Sequence, residues 1–277
     1  MVVTSVLTGT RGVTDFLIGH TRVGINTAGE IVLLAIDAAV SAFTSIIRGE
    51  FSWDEFFEQA WFMTRVSLLP AILVSIPFGV IVSVQVGGVA KQIGAESFIG
   101  AVNAIGVMRQ AAPLVSAIMI AGVVGSAVTA DLGARAIREE LDALRVMGVS
   151  PVQRLAAPRV VAAVLVGICL SAVVATTAIV TGYMIVVGSG SVSSGTYLGA
   201  FISFGQTLDI FMAVLKAIIF GFVAVVVAAH KGMNARGGPK GVADAVNQSV
   251  VLSVILLALI NVAITQVYVM LVPQRLA

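Results

Sequence analysis

Charge is what this chain has least of. Only 11% of its 277 residues are Asp, Glu, Lys or Arg, against about 25% in a soluble domain. Apolar residues make up 58%, and the mean hydropathy is +1.07. A water-soluble globular protein is thereby excluded, and an integral membrane protein with little mass outside the bilayer is implied. A net charge of +2 is too small for a nucleic-acid partner. The lone cysteine, Cys169, sits in an apolar run, which rules out a disulfide framework and a thiolate cluster. The two histidines, His20 and His230, lie far apart and support neither a Ser–His triad nor an H-E-x-x-H zinc motif. In GGPKG (Gly237–Gly241) the lysine precedes glycine instead of Ser or Thr, so no phosphate-binding loop is present. No bound cofactor or metal is expected, and any ATP hydrolysis must come from another chain. The N-terminus lacks the basic, apolar and small-residue sequence of a cleaved signal peptide.

What is present is long apolar runs. Val66–Ala90 and Gln110–Ala130 are free of charge, and so is everything from Val160 to Leu208. The last stretch is too long for one crossing, and GSGSVSSG (Gly188–Gly195) marks a loop within it. Spans are expected at Val66–Ala90, Gln110–Ala130, Val160–Val187, Leu208–Ala229 and Ala245–Val272. Ile31–Ile47 is apolar too, but Asp37, Ser41, Thr44 and Arg48 draw a polar stripe along it. A helix in the membrane interface fits that stripe better than a crossing does. The aromatics of Glu50–Glu58, with Trp61, suit headgroup depth. The expected fold is an all-α integral membrane protein. It has an N-terminal interfacial (elbow) helix in 1–60, a five-helix bundle in 61–272 and one domain overall.

Between the second and third spans lies a polar island, EELDALRVMGVSPVQRLAAP (Glu139–Pro158). Ile137, Leu141, Leu144 and Met147 share one helical face, while Arg138, Asp142 and Arg145 take the other, with Arg138 and Asp142 spaced to pair. Gly148 suits the left-handed position past a helix end, and Pro151 stops continuation. A helix over 137–147 would be roughly 16 Å long, about half a bilayer, so it must lie at the surface. The reading is a docking helix; the plainer alternative is a solvated loop helix. Arg135, Arg138, Arg145, Arg154 and Arg159 crowd this segment, and Lys231, Arg236 and Lys240 crowd the loop His230–Asp244. Positive loops stay in the cytoplasm. The N-terminus is then inside and, after five spans, the C-terminus outside.

Two ionisable residues and one asparagine within the later spans bear on function. Asp209 and Lys216 share a helical face and either line a substrate path or form a cap with a structural link; Asn261 lines a cavity or bonds across helices.

Several stretches resemble one family, the MlaE/YrbE-type permeases of bacterial lipid ABC transporters. They are PFG at Pro77–Gly79 followed by Gln85, PLVSAIMIAGVVGSAVTADLG (Pro113–Gly133), EELDALRVMGVSPVQRLAAPR (Glu139–Arg159), KAIIFG (Lys216–Gly221) and GGPKGVADAVNQSVV (Gly237–Val251). The last is most similar to the actinobacterial Mce-associated branch. The resemblance implies a non-catalytic permease in a bacterial inner membrane, working with a second YrbE-type permease, an ABC ATPase dimer that binds ATP and Mg, and Mce-domain lipid-tunnel proteins. It implies import of lipids such as fatty acids or sterols. It also makes the island a coupling helix near 137–148, with Glu139, Glu140, Asp142, Leu144, Arg145, Met147 and Gly148 facing the ATPase. Many members carry a glutamate at position 110 and an arginine at 123, and position 261 is often acidic. Here these are Gln110, Val123 and Asn261. With Lys216 they are the expected substrate-path residues, and the paired loss of two charges suggests one half of an unlike pair. The alternatives are a small-solute ABC importer subunit and a proton-coupled secondary transporter using Asp209 and Lys216.

Overall fold

The structure is a computed structural model. It describes the backbone of residues 3–49, 51–205 and 207–271, and side chains between Asn26 and Met270 within those ranges. The described residues are helical and contain no strand. We number the helices α1 (Val3–Arg48), α2 (Trp53–Gln92), α3 (Glu96–Ile137, entered through a 3₁₀ turn), α4 (Glu140–Val146), α5 (Val152–Gly188), α6 (Ser194–Phe204), α7 (Thr207–Met233) and α8 (Gly238–Leu271).

Six helices among the described residues are long and apolar enough to cross a membrane, one more than the five expected spans; the sixth is Asn26–Arg48 of α1. Its packed face is small, with Ala38, Ala42 and Ser45 buried, while Val32, Leu33, Ile36, Phe43 and Ile47 stay exposed. Asp37 is exposed as well. A carboxylate facing hydrocarbon is expensive, and at the interface it meets water. The expected end of the last span at Val272 lies outside the described residues.

The five remaining long helices start earlier or run later than the expected spans. α5 begins at Val152 rather than near Val160, so Pro151, lying past the end of the island helix as expected, also opens the next helix. Proline is well placed there, since a first-turn N–H has no helical acceptor anyway. The supposed loop His230–Asp244 shrinks to a short turn, because α7 runs to Met233 and α8 starts at Gly238. The loop after α5 contains a helix of its own, α6, capped by Ser193, whose Oγ accepts from the Thr196 N–H. Pro70 and Pro77 are carried inside α2 without ending it.

The core is made of small residues and close backbones. α2 lies along α5, and α7 lies between α5 and α3. At Gly79 an added Cβ would stand 2.5 Å from the Ala178 carbonyl oxygen, and at Gly221 2.6 Å from that of Ala163. Only glycine allows such approach. Small residues let membrane helices pack through dispersion where no hydrophobic effect drives them together. At the α6 end, Asn103 Nδ2 donates to Ser83 Oγ (3.0 Å) and to the Tyr197 hydroxyl (3.3 Å), joining α3, α2 and α6. Burial raises the Tyr197 phenol above its ordinary pKa, against the opposing pull of the Asn103 hydrogen bond.

Candidate functional site

α3 is not a uniform helix. π-helical turns widen it at Val107–Ala111 and at Ile120–Val124. Such turns re-aim side chains and recur at functional sites. The first carries Arg109 and Gln110 toward α7 and α8. Arg109 donates from Nε to Asp209 Oδ1 (2.6 Å) and from its second guanidinium nitrogen to Oδ2 (3.3 Å), a two-pronged pair. The Tyr268 hydroxyl donates to Asp209 Oδ1 (2.8 Å), and the guanidinium carbon lies 5.4 Å from the Tyr268 ring centre. Asp209 is buried, and these bonds compensate its charge.

Lys216 is buried one step further along α7. Its Nζ donates to the Arg109 carbonyl (2.9 Å) and to Thr265 Oγ1 (2.8 Å), and the Thr265 hydroxyl in turn donates to the Asn261 carbonyl (2.7 Å). Asn261 Nδ2 reaches Gln110 Oε1 at 3.5 Å. Lys216 therefore meets only neutral oxygens among the described residues, using two of its three N–H donors. Asp209 and Lys216 do not form the structural link that their shared face suggested. Seven residues separate them by about 10 Å of helix, and Asp209 turns to Arg109 instead.

A cavity of about 180 Å³ opens beside this cluster, lined by Arg109, Gln110, Lys216, Thr265, Tyr268 and Met212. Met212 and Tyr268 also wall a second groove of about 440 Å³ whose lining is wholly apolar, including Leu208, Phe211, Ile264 and Val267. A cationic and hydrogen-bonding compartment thus adjoins an aliphatic one, with two residues common to both.

Of the residues expected on the path, Gln110, Lys216 and Asn261 meet here, and Val123 does not. It lies in the second π-helical turn, thirteen residues and roughly 20 Å along α3 from Gln110. Within one chain, side chains at 110 and 123 are too far apart to be partners. Arg109, Met212, Thr265 and Tyr268 were not among the residues expected on the path. A polar residue four positions after Asn261 was the available signal for Thr265.

The island departs from expectation in one respect. α3 carries Ile137 and ends there, and the chain then reverses through Glu139, whose φ is 60°, before α4 begins at Glu140. Left-handed backbone is costly for a residue with a Cβ. The single helix over 137–147 is therefore two, and Arg138 pairs with Glu140 (2.7 Å) rather than Asp142, which takes Arg145 (2.8 Å). Gly148 has φ +76°, as expected past a helix end. Leu141 is buried, whereas Val146 and Met147 are 89% and 68% exposed.

Arg159, counted in the sequence only among the positive charges of the island, is the centre of a charge cluster. Arg159 is fully buried and bonds Asp131 Oδ2 (2.7 Å), Glu55 (3.1 Å) and the Leu155 carbonyl (2.8 Å). It joins the α3 and α5 segments that flank α4 to the start of α2. Gln153 reaches Ser45 (3.2 Å) and Arg154 reaches Ser52 (2.7 Å), adding α1 and the approach to α2.

Residues 56–267 match the family described as Permease MlaE. The chain belongs to the MlaE permease family. It is 28% identical over 230 residues to a probable ABC transporter permease protein of Rickettsia bellii, covering 83% of this chain and 89% of the relative. A probable ABC transporter permease protein of Synechocystis is 28% identical, over 79% of this chain and 83% of its own. The Arabidopsis protein TRIGALACTOSYLDIACYLGLYCEROL 1, chloroplastic, is 28% identical, over 76% of this chain and 60% of its own. This MlaE-family chain is a multi-helix membrane permease. The matched region contains α4, Arg109, Gln110, Met212, Lys216 and Thr265 of the cavity, and Asp131 and Arg159 of the charge cluster, while Tyr268 and Glu55 fall just beyond its two ends.

Proposed function

We propose that this permease is the membrane half of an ATP-driven lipid transporter of the Mce/Mla type and that it moves an anionic, single-headed lipid such as a fatty acid. The observation that carries the reading is the adjoining pair of compartments. Lys216 brings a positive charge met only by neutral oxygens to the small cavity, and the wholly apolar groove beside it receives a chain. A carboxylate headgroup would compensate that cation. A sterol, with only a hydroxyl, would not. The galactolipid in the plant relative's name supports a lipid substrate, and import is the direction we propose. A small polar solute would leave the apolar groove unused.

Coupling runs through α4. Val146 and Met147 project as an apolar tip beside Glu139, Glu140, Asp142 and Arg145, with Leu144 and Gly148 shaping the base. That surface suits a groove on an ABC ATPase, which supplies ATP and Mg. Gln110 and Asn261 form an uncharged amide pair, so a symmetric pair of this chain would carry the amides in both halves. We propose an unlike second permease, with Mce-domain proteins on the outer side of an inner-membrane complex.

Purification of the tagged chain in mild detergent tests this. Mass spectrometry is expected to find an ATPase and one second permease in equal ratio to this chain. An active complex holding two copies of this chain and no second permease contradicts the unlike pair. Absence of any ATPase contradicts ATP coupling.

A further inference from the structure

A second, larger recess lies away from the Arg109–Lys216 cavity. It has a volume of about 670 Å³ and lies between Thr27–Val32 of α1 and Asn247–Leu256 of α8. Its last α8 residue, Leu256, is nine residues before Thr265, about 14 Å of helix. α1 packs on α7 and on the start of α5, which leaves its other side separated from α8 by this crevice. The volume falls in the roughly 300–1,000 Å³ range of small-molecule sites. Ile31, Val32, Val251, Leu252 and Ile255 make the walls apolar, and Val32, Val251 and Ile255 are exposed.

One end is different. Lys231 lines the crevice there, its Nζ donating to Gln248 Oε1 at 3.1 Å. One of three ammonium donors is thus used. Arg236 and Lys240 follow in the turn and at the start of α8. The nearby carboxylate on α1, Glu30, is engaged by His230 Nε2 at 3.1 Å; Asp244 is the acidic residue on α8 closest in sequence to the recess. An aliphatic slot with a cation at one end has the polarity of an anionic membrane lipid. Basic pockets between membrane helices on the positively charged side of a protein bind such headgroups.

We infer that the crevice between α1 and α8 is a binding site for an anionic glycerophospholipid. Its phosphate lies at Lys231, and one acyl chain runs along Val251, Leu252 and Ile255. The lipid is a resident one, wedging the interfacial helix against the last span, and its binding is independent of which substrate the permease carries.

Native mass spectrometry of the purified protein tests this, using phosphatidylglycerol and phosphatidylcholine with identical acyl chains. Retention of phosphatidylglycerol is expected to exceed that of phosphatidylcholine about fivefold, the scale of one juxtamembrane cation. Lys231→Gln is expected to abolish the preference and Lys231→Arg to keep it. Val251→Trp, which fills the slot, is expected to reduce retention of both lipids. Inorganic phosphate is expected not to displace the bound lipid. Equal retention of the two lipids, a preference unchanged in Lys231→Gln, or displacement by phosphate would overturn the site. So would efficient crosslinking between copies through Ile255→Cys in a Cys169→Ser background, which would assign the crevice to a second copy.

Discussion

At the residue scale, the cavity between α3, α7 and α8 depends on one carboxylate. Asp209 receives both Arg109 and Tyr268, so removing its charge leaves a largely buried guanidinium without its counter-ion. Breaking a buried pair from one side costs about 3–5 kcal/mol. Tyr268→Phe removes only one hydrogen bond to a charged group, about 1.5–3 kcal/mol. Thermal unfolding in detergent is expected to rank Asp209→Asn as the less stable of the two. Equal stability would mean that the ion pair is not what holds α3 to α7. The sequence showed these ionisable residues but mispaired them. Spacing along α7 put Asp209 with Lys216, and nothing local revealed that a π-helical turn aims Arg109 at Asp209 from a hundred residues away.

At the element scale, α4 is a short helix held from both sides. Glu139 in the left-handed region sets its angle to α3, and Gly148 releases the chain toward α5. Backbone strain of order 1–2 kcal/mol at a non-glycine residue is retained here on an exposed turn. Glu139→Gly is expected to raise thermal stability by about 1 kcal/mol. The double charge reversal Glu139→Lys, Glu140→Lys is expected to lower lipid-stimulated ATPase activity of the co-purified complex while the permease still inserts. Unchanged ATPase activity and recovery would remove α4 from the coupling path. The helix itself and its glycine terminus were legible in sequence, because local spacing and a breaker residue decide them. The break at Glu139 was not, since no propensity marks a glutamate for positive φ. Nor was the burial of Arg159, counted only among the positive charges of a cytoplasmic segment. Its burial depends on Asp131 and Glu55 converging from two other helices, a tertiary fact.

At the scale of the whole molecule, hydropathy alone gave the all-helical membrane fold and the approximate place of five long helices. The windows began or ended wrongly wherever charge entered a helix, as at α5 and α7, because charges such as Arg159 and Lys231 sit inside helices that a charge-free criterion truncates. α1 is long enough to cross by composition, yet carries Asp37 on its outward side. The molecule then divides into a charged base, where Arg159 ties α2, α3 and α5 around α4, and an amphiphilic path between α3, α7 and α8. In the function proposed above, this path carries an anionic lipid under ATP control. ATP-dependent transfer of a fluorescent fatty acid across liposomes holding the complete complex tests it most directly. Lys216→Met is expected to cut the rate at least about tenfold, one unpaired charged hydrogen bond being worth 1.5–3 kcal/mol, and transfer of the matching fatty alcohol is expected to be slow in both proteins. Wild-type rates in Lys216→Met, or equal transfer of acid and alcohol, would contradict the account.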